Sequence, residues 1–168
     1  MTPVERAAPA TAATEACAAE RCTTAVVGPV VDVAGGLVQL SHLVQAVQTR
    51  VALRHDLTPV QARLLCLLLD GPRGMADLAQ ILRVEKAALT GLMDRVERRD
   101  LAHRSAVPGD RRSLRVVLTD LGRGTARAFQ FEASAELAHL TDFLDADDAD
   151  RFLATLAEIV DRNRPHPR

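Results

Sequence analysis

The side chains best suited to binding a charged partner are concentrated between residues 83 and 115. This segment holds nine Lys or Arg and five Asp or Glu, so its net charge is +4. The rest of the 168-residue chain has a net charge of −5, and the formal total is therefore only −1. A local positive segment is typical of surfaces that bind nucleic-acid phosphates, although charge runs also occur as solvated faces. The distribution of charge therefore favours a polyanion as partner, which the total charge alone does not.

Two helices are predicted in and just before this basic segment. Residues 75–82 have the apolar spacing of a short helix, and residues 85–99 have that of a longer one. A short helix, a tight turn and a longer helix are typical of the helix-turn-helix, whose second helix reads DNA. The longer helix turns one apolar face inward, made of Leu89, Leu92, Met93 and Val96. Its outer face then holds Ala87, Thr90, Gly91, Asp94 and Arg98, flanked by Lys86 and Arg95.

The hydrophobic period changes after this helix from about 3.6 residues to about 2. Residues 101–107 and 113–119 read as two strands, and Pro108, Gly109 and Asp110 between them favour a tight turn. Arg111 and Arg112 stand at the tip of that turn. A β-hairpin attached to a helix-turn-helix is a wing. The predicted fold class is therefore mainly α with a small β-wing.

Further helices are predicted on both sides of this winged domain. Apolar residues at 4-3-4-3-4 spacing from residue 33 to residue 51 form a seam on a helix of about six turns, which favours pairing with another helix or another chain. Thr58, Pro59 and Gln61 have the pattern of a helix N-terminus, and the helix that follows is apolar on all sides. A helix capped by Thr119 is predicted to run through residue 143, and a final helix follows Asp145.

Several short motifs in the winged region carry a family resemblance. They are Leu57-Thr58-Pro59, the run from residue 78 to residue 123, and within it Asp110-x-Arg112 followed by Leu118-Thr119. On these residues the sequence closely resembles the MarR family of winged-helix transcription regulators, with Asp100 where Gly is more usual. The resemblance implies a two-fold dimer built from the first helix and the last two helices of each chain.

The resemblance also implies how the parts are divided. It implies an N-terminal dimerisation helix at 30–56, a winged helix-turn-helix at 57–120 and C-terminal dimerisation helices at 121–164. Residues 1–29 do not match the family, and their Ala-rich, low-complexity composition predicts a flexible arm. The helix at 85–99 would enter the major groove of a pseudo-palindromic DNA operator, and Arg112 would enter the minor groove. The expected DNA contacts are Lys86, Ala87, Thr90, Gly91, Asp94, Arg95, Arg98, Asp110, Arg111 and Arg112.

Relatives of this kind commonly respond to small anionic aromatic molecules, and the resemblance implies a repressor released by such an effector. Candidate effector contacts, chosen for location and chemistry, are His42, Arg50, His55 and Arg63. The simpler interpretation is that these four are surface or salt-bridged residues.

Other function classes have little support in the sequence. There is no phosphate loop, nucleophile elbow or clustered metal-ligand pair, so we expect neither an enzyme nor a cofactor. No apolar run is long enough to cross a membrane, and a cytoplasmic protein is expected. A protein–protein module that no longer binds DNA remains an alternative. So does a redox- or metal-responsive regulator of the same fold, which would use Cys17, Cys22, Cys66 or the scattered histidines.

Overall fold

The computed structural model describes residue 30, residues 32–107 and residues 110–164, and it describes no side chain at 107 or at 110–113. The predicted arm at residues 1–29 and the turn residues Pro108 and Gly109 lie outside the described residues. The chain divides into two compact units, Met1–Leu43 and Val44–Arg168, with the boundary inside the first helix.

That helix, α1 (Val33–Arg54), has 22 residues, which confirms the predicted length of about six turns. In the first unit, the N–H of Gly35 donates to Oδ1 of Asp32 at 2.6 Å, and Val33 is 80% exposed. In the second unit, Val47 and Val51 are buried in the core. Of the two alternatives that the seam left open, another helix or another chain, Val47 and Val51 follow the first, because other helices of their own unit cover them.

Helix α2 (Pro59–Leu69) begins as the sequence predicts. The side chain of Thr58 accepts a hydrogen bond from the N–H of Gln61, and the side chain of Gln61 accepts one from the N–H of Thr58 at 2.9 Å. This reciprocal pair satisfies two backbone donors that a helix N-terminus leaves free. Leu64, Leu65 and Leu68 are buried, so α2 is a central helix of the second unit.

Two helices and a three-stranded antiparallel sheet complete the winged domain. Helix α3 (Met75–Leu82) ends at Arg83, which has a positive φ of 55°, and helix α4 (Lys86–Arg98) follows. The sheet has the strand order β1 (Arg73–Gly74), β3 (Asp110–Leu118), β2 (Ala102–Val107). The hairpin of β2 and β3 confirms the predicted wing. The two-residue strand β1 is missing from the sequence prediction because it is too short to show a period.

The chain then returns to helices. Helix α5 (Asp120–Ala138) has Thr119 as its N-cap, as predicted, with the N–H of Gly122 donating to the Thr119 hydroxyl at 3.0 Å. The prediction that this helix continues through residue 143 is wrong, because a 3-10 turn at His139–Thr141 ends it. Helix α6 (Ala146–Arg162) begins at Asp145, whose carboxylate accepts from the N–H of Asp148 at 2.8 Å.

One hydrophobic core holds the second unit together. It is formed where α2, α3, α4, α5 and the sheet meet the C-terminal end of α1. Burying these aliphatic side chains supplies the main favourable free energy of folding, about 25 cal/mol for each Å² of apolar surface. The largest fully buried side chains are Val51, Leu57, Leu64, Leu65, Leu78, Leu89, Met93, Val96 and Val116.

Candidate nucleic-acid interface

Helix α4 has one face in the core and one face exposed, as its sequence predicts. Leu89, Leu92, Met93 and Val96 are buried and fix the rotation of the helix about its axis. The opposite side consists of the predicted contact residues. Lys86, Ala87, Thr90, Asp94, Arg95 and Arg98 are exposed, and Gly91 is half-buried.

Three cations on this outer face are available to an external partner. Lys86, Arg95 and Arg98 are exposed and form no side-chain hydrogen bond or ion pair with any described residue. A Cβ atom placed on Gly91 would lie 3.6 Å from Nη1 of Arg95, so the guanidinium reaches back over the glycine one helical turn earlier. The missing side chain at Gly91 thus leaves Arg95 close to the helix surface.

Two other residues predicted to contact DNA, Thr90 and Asp94, already form a hydrogen bond or an ion pair within the protein. The hydroxyl of Thr90 donates to the carbonyl oxygen of Lys86 at 3.0 Å, which leaves its lone pairs for an outside donor. The carboxylate of Asp94 is paired with Arg104 of strand β2, with Oδ1 of Asp94 3.0 Å from Nη2 of Arg104. Arg104 also pairs with Glu97 of α4. The sequence analysis did not identify Arg104 as a site residue.

The wing stands beside this helix. The backbone at Asp110, Arg111 and Arg112 belongs to β3, while the contacts predicted for these three side chains lie outside the described residues. Farther along β3, Arg115 is exposed and lies opposite Ser105 of β2. A cleft of about 500 Å³ separates the helix-turn-helix from the wing, lined by Met75, Ala76, Lys86, Leu89, Thr90, Asp94, Arg104 and Leu114.

The four candidate effector contacts have different settings. His42 is exposed on the part of α1 that belongs to the first unit. Arg50 pairs with Glu136 of α5, and Nε2 of His55 lies 2.7 Å from Oε2 of Glu132 on the same helix. The salt-bridged interpretation therefore describes Arg50 and His55 in this structure.

Arg63 has a different setting from the other three. It donates to the carbonyl oxygen of Ile81 at 3.3 Å and lines a cavity of about 350 Å³ with Gln48, Pro59, Cys66 and Phe129. Burial raises the pKa of the Cys66 thiol. Because the thiolate is the reactive form, this setting disfavours Cys66 as an oxidant sensor.

The acidic partners on α5 were missed by the sequence analysis. Glu136 is paired with both Arg50 and Arg54, and hydrogen bonds from these two guanidinium groups lower the pKa of the Glu136 carboxyl. Glu132 is 2.6 Å from Nε of Arg54. The available signal was a pair of carboxylates four residues apart on one helix and a pair of arginines four residues apart on another.

In the part of the chain that the structure describes, no three His, Cys, Asp or Glu side chains are grouped so that they could hold a metal ion. None of its helices combines the length and the hydropathy needed to cross a membrane.

Comparisons with known proteins agree on one kind of molecule. A sequence model of the MarR family matches residues 55–113. The HTH-type transcriptional repressor NicR of Pseudomonas putida is 35% identical over 92 residues, which cover 50% of this chain and 58% of NicR. The match thus spans less than two thirds of that relative.

Solved structures share the fold. The transcriptional repressor CouR, bound to a 23-mer DNA duplex, is 29% identical, with a TM-score of 0.63 over 77% of this chain and 92% of CouR. A mutant of MarR from E. coli is 21% identical, with a TM-score of 0.70 over 79% of this chain and 99% of that one, and at this identity it shows the fold alone.

Proposed function

The chain belongs to the MarR family of winged helix-turn-helix transcription regulators, and on that premise we propose that it is a sequence-specific repressor that binds a pseudo-palindromic operator as a homodimer. The observation that carries this proposal is the outer face of α4. It exposes Lys86, Arg95 and Arg98 beside a β-wing, while the opposite face of the helix is locked in the core. A helix held in this way presents its side chains to a groove without having to reorganise.

In this proposal α4 lies in the major groove. Lys86 and Arg95 supply donors for the O6 and N7 acceptors of guanine, and the methyl group of Ala87 suits the thymine methyl. The absence of a side chain at Gly91 allows close approach, and Arg98 near the end of the helix contacts a phosphate. With so few direct base contacts, much of the specificity comes from the shape of the minor groove at the wing, where Arg112 is inserted with Arg111 beside it and Asp110 shaping the turn.

Two-fold symmetry sets the form of the operator. The two copies of α4 in a dimer read half-sites whose centres are about one helical turn of DNA apart. Each protomer adds a segment of net charge +4, so the affinity falls steeply as salt concentration rises.

The test combines random-site selection with a titration of the selected duplex. Arg112→Ala is expected to weaken operator binding by at least about tenfold, because each dimer loses two contacts of about 1–3 kcal/mol each. Arg127→Ala on the exposed surface of α5 removes the same charge elsewhere and is the matched control. Equal affinities of the two variants would refute the role of Arg112. Failure of the wild-type protein to select any sequence would instead favour the protein–protein module.

We further propose that a small anionic aromatic molecule releases the repressor from DNA. The cavity beside α2 supports this proposal, since Arg63 offers a cation and Phe129 a ring at the same cavity. His55 stands edge-on to Phe129, with ring centroids 6.3 Å apart. A panel of aromatic carboxylates added to the operator complex tests it. Complexes that stay intact at millimolar concentrations of every compound would count against it.

A further inference from the structure

We propose that Arg104 of the wing is a positioning residue for DNA reading, which cancels the charge of Asp94 and directs its carboxylate away from the bases. This inference rests on the proposed DNA-binding function. It concerns a residue outside the predicted reading face, because Arg104 belongs to strand β2 and acts through its contacts with helix α4.

The position of Arg104 in the sheet is unusual for a charged residue. Its cross-strand partner is Val116, which is fully buried, and two residues earlier Ala102 pairs with the buried Leu118. Residues paired across strands share a face, so Arg104 belongs to the row that faces the domain interior. Its side chain is only 22% exposed. Arginine is rarely placed in such a row unless it is paired.

The partners of Arg104 are three positions along one side of α4. Its Nη2 lies 3.0 Å from Oδ1 of Asp94 and donates to the carbonyl oxygen of Thr90 at 3.3 Å. Its Nη1 donates to Oε2 of Glu97, and its backbone N–H donates to Oε1 of Glu97 at 2.8 Å. One guanidinium therefore fastens the reading helix to the wing at two successive turns, and the fork geometry of arginine allows both bonds at once.

The charges explain why this contact matters for DNA. Asp94 lies on the outer face of α4 and its side chain is 49% exposed, so an unpaired carboxylate there would stand against the phosphates. Asp94 and Glu97 have no other cationic partner among the described residues. Removing Arg104 would therefore leave two uncompensated negative charges where the helix approaches a polyanion, in addition to losing one positive charge.

The same contact restricts what Asp94 can read. A free carboxylate in the major groove accepts hydrogen bonds from the N4 amino group of cytosine. Held by Arg104 on the side of α4 that faces the wing, Asp94 is turned from that role. Lys86 and Arg95 remain as the long side chains for base contacts. Arg104 thus determines which side chains of α4 contact the bases.

The experiment is a double-mutant cycle on the full-length protein, with the duplex selected by the wild type. Arg104→Ala is expected to lower the affinity at least tenfold, and adding Asp94→Asn to it is expected to recover at least half of that loss on a logarithmic scale. Repeating the site selection with Arg104→Ala is expected to add a preference for cytosine at one position in each half-site. Neither the recovery nor the new preference would follow from a merely structural role.

Arg115→Ala is the matched control, because it removes an exposed positive charge from the neighbouring strand. The loss of DNA affinity caused by Arg115→Ala is expected to be the same whether or not Asp94→Asn is also present. Circular dichroism checks that each variant is folded. If Arg104→Ala fails to fold, Arg104→Gln replaces it in the same cycle, since glutamine keeps a hydrogen-bond donor but lacks the charge.

The outcomes separate this inference from the proposed function. Undiminished affinity of the Arg104 variant, or a loss that Asp94→Asn does not recover, would overturn the positioning role while DNA binding by the wild type stands. A wild-type protein that selects no DNA would overturn the proposed function and this inference together.

Discussion

Gly122, in the first turn of α5, lies so close to the backbone of another segment that no larger residue fits at this position. A Cβ atom at this position would lie 1.7 Å from the carbonyl oxygen of Leu101. The close approach is held by two hydrogen bonds from Thr119, whose N–H donates to the carbonyl oxygen of Leu101 at 3.2 Å and whose hydroxyl donates to that of Asp100 at 2.6 Å. The segment between α4 and the wing is thereby fastened to the start of α5.

We therefore expect Gly122→Ala to lower the free energy of unfolding by about 3 kcal/mol, since the obstacle is backbone and cannot rotate away. Gly124→Ala, two residues later, is the matched control, because a Cβ atom there meets nothing within 4 Å. Alanine at Gly124 is expected to stabilise the helix by about 1 kcal/mol. Urea unfolding of both variants measures the difference, and similar midpoints would show that the close approach is not maintained.

Asp100 stands at a position where Gly is more usual in the family, and its backbone conformation shows why the replacement is tolerated. Its φ is 52°, in the left-handed region that favours glycine. Aspartate is among the few other residues that adopt this conformation readily. The chain therefore keeps the turn after α4 although it lacks the more usual Gly.

At the scale of elements, five ionisable side chains join the C-terminal end of α1 to α5. Arg50, Arg54 and His55 on one side face Glu132 and Glu136 on the other. All five are at least partly exposed, so each pair is worth little by itself. Their shared geometry fixes how the end of α1 lies against α5.

The lowered pKa of Glu136 predicts how this contact responds to acid. A carboxyl whose pKa is lower in the folded than in the unfolded state contributes stability above its unfolded pKa, and this contribution is lost as the pH falls through the folded pKa. The wild type is therefore expected to be slightly more stable than Glu136→Gln at neutral pH, and this difference is expected to shrink as the pH falls below 4.5, the ordinary pKa of a Glu carboxyl.

Chemical unfolding at a series of pH values measures this effect. Glu158→Gln is the control, because among the described residues Glu158 pairs with Arg162 of its own helix α6 and links no second element. Its effect on stability at neutral pH is expected to be smaller than that of Glu136→Gln. A difference between the wild type and Glu136→Gln that persists in acid would mean that charge is not the cause.

At the scale of the whole molecule, α6 has an apolar side that the described part of the chain does not cover. No residue of α6 is buried, and Leu153 is 65% and Val160 53% exposed. Phe152, Leu156 and Ile159 lie on the same side by their helical spacing. Such a surface fits the proposed dimer, in which a second copy of α6 would cover it.

We expect Leu153→Asp to convert the dimer into a monomer and to weaken operator binding, since two half-sites are then no longer bound together. Ala154→Asp places the same charge on the polar side of α6 and is expected to leave the dimer intact. Light scattering at micromolar concentration and a DNA titration measure both effects. A wild-type monomer, or a dimer that survives Leu153→Asp, would contradict the proposed use of α6.

The sequence by itself determined the order of the helices, the capped starts of α2 and α5, the wing, the inner and outer faces of α4 and the location of the positive charge. These features depend on residues within a few positions of each other, through hydrophobic period, capping side chains and turn chemistry. The predicted DNA and effector contacts remain predictions. The tertiary structure alone decided that Val47 and Val51 lie in the core, that Arg73 and Gly74 add a third strand, that Glu132 and Glu136 hold the end of α1, and that Arg104 holds Asp94. Most of these contacts join residues tens of positions apart, whereas Arg104 and Asp94 come from adjacent elements. All of them form only when the core sets the distances between elements.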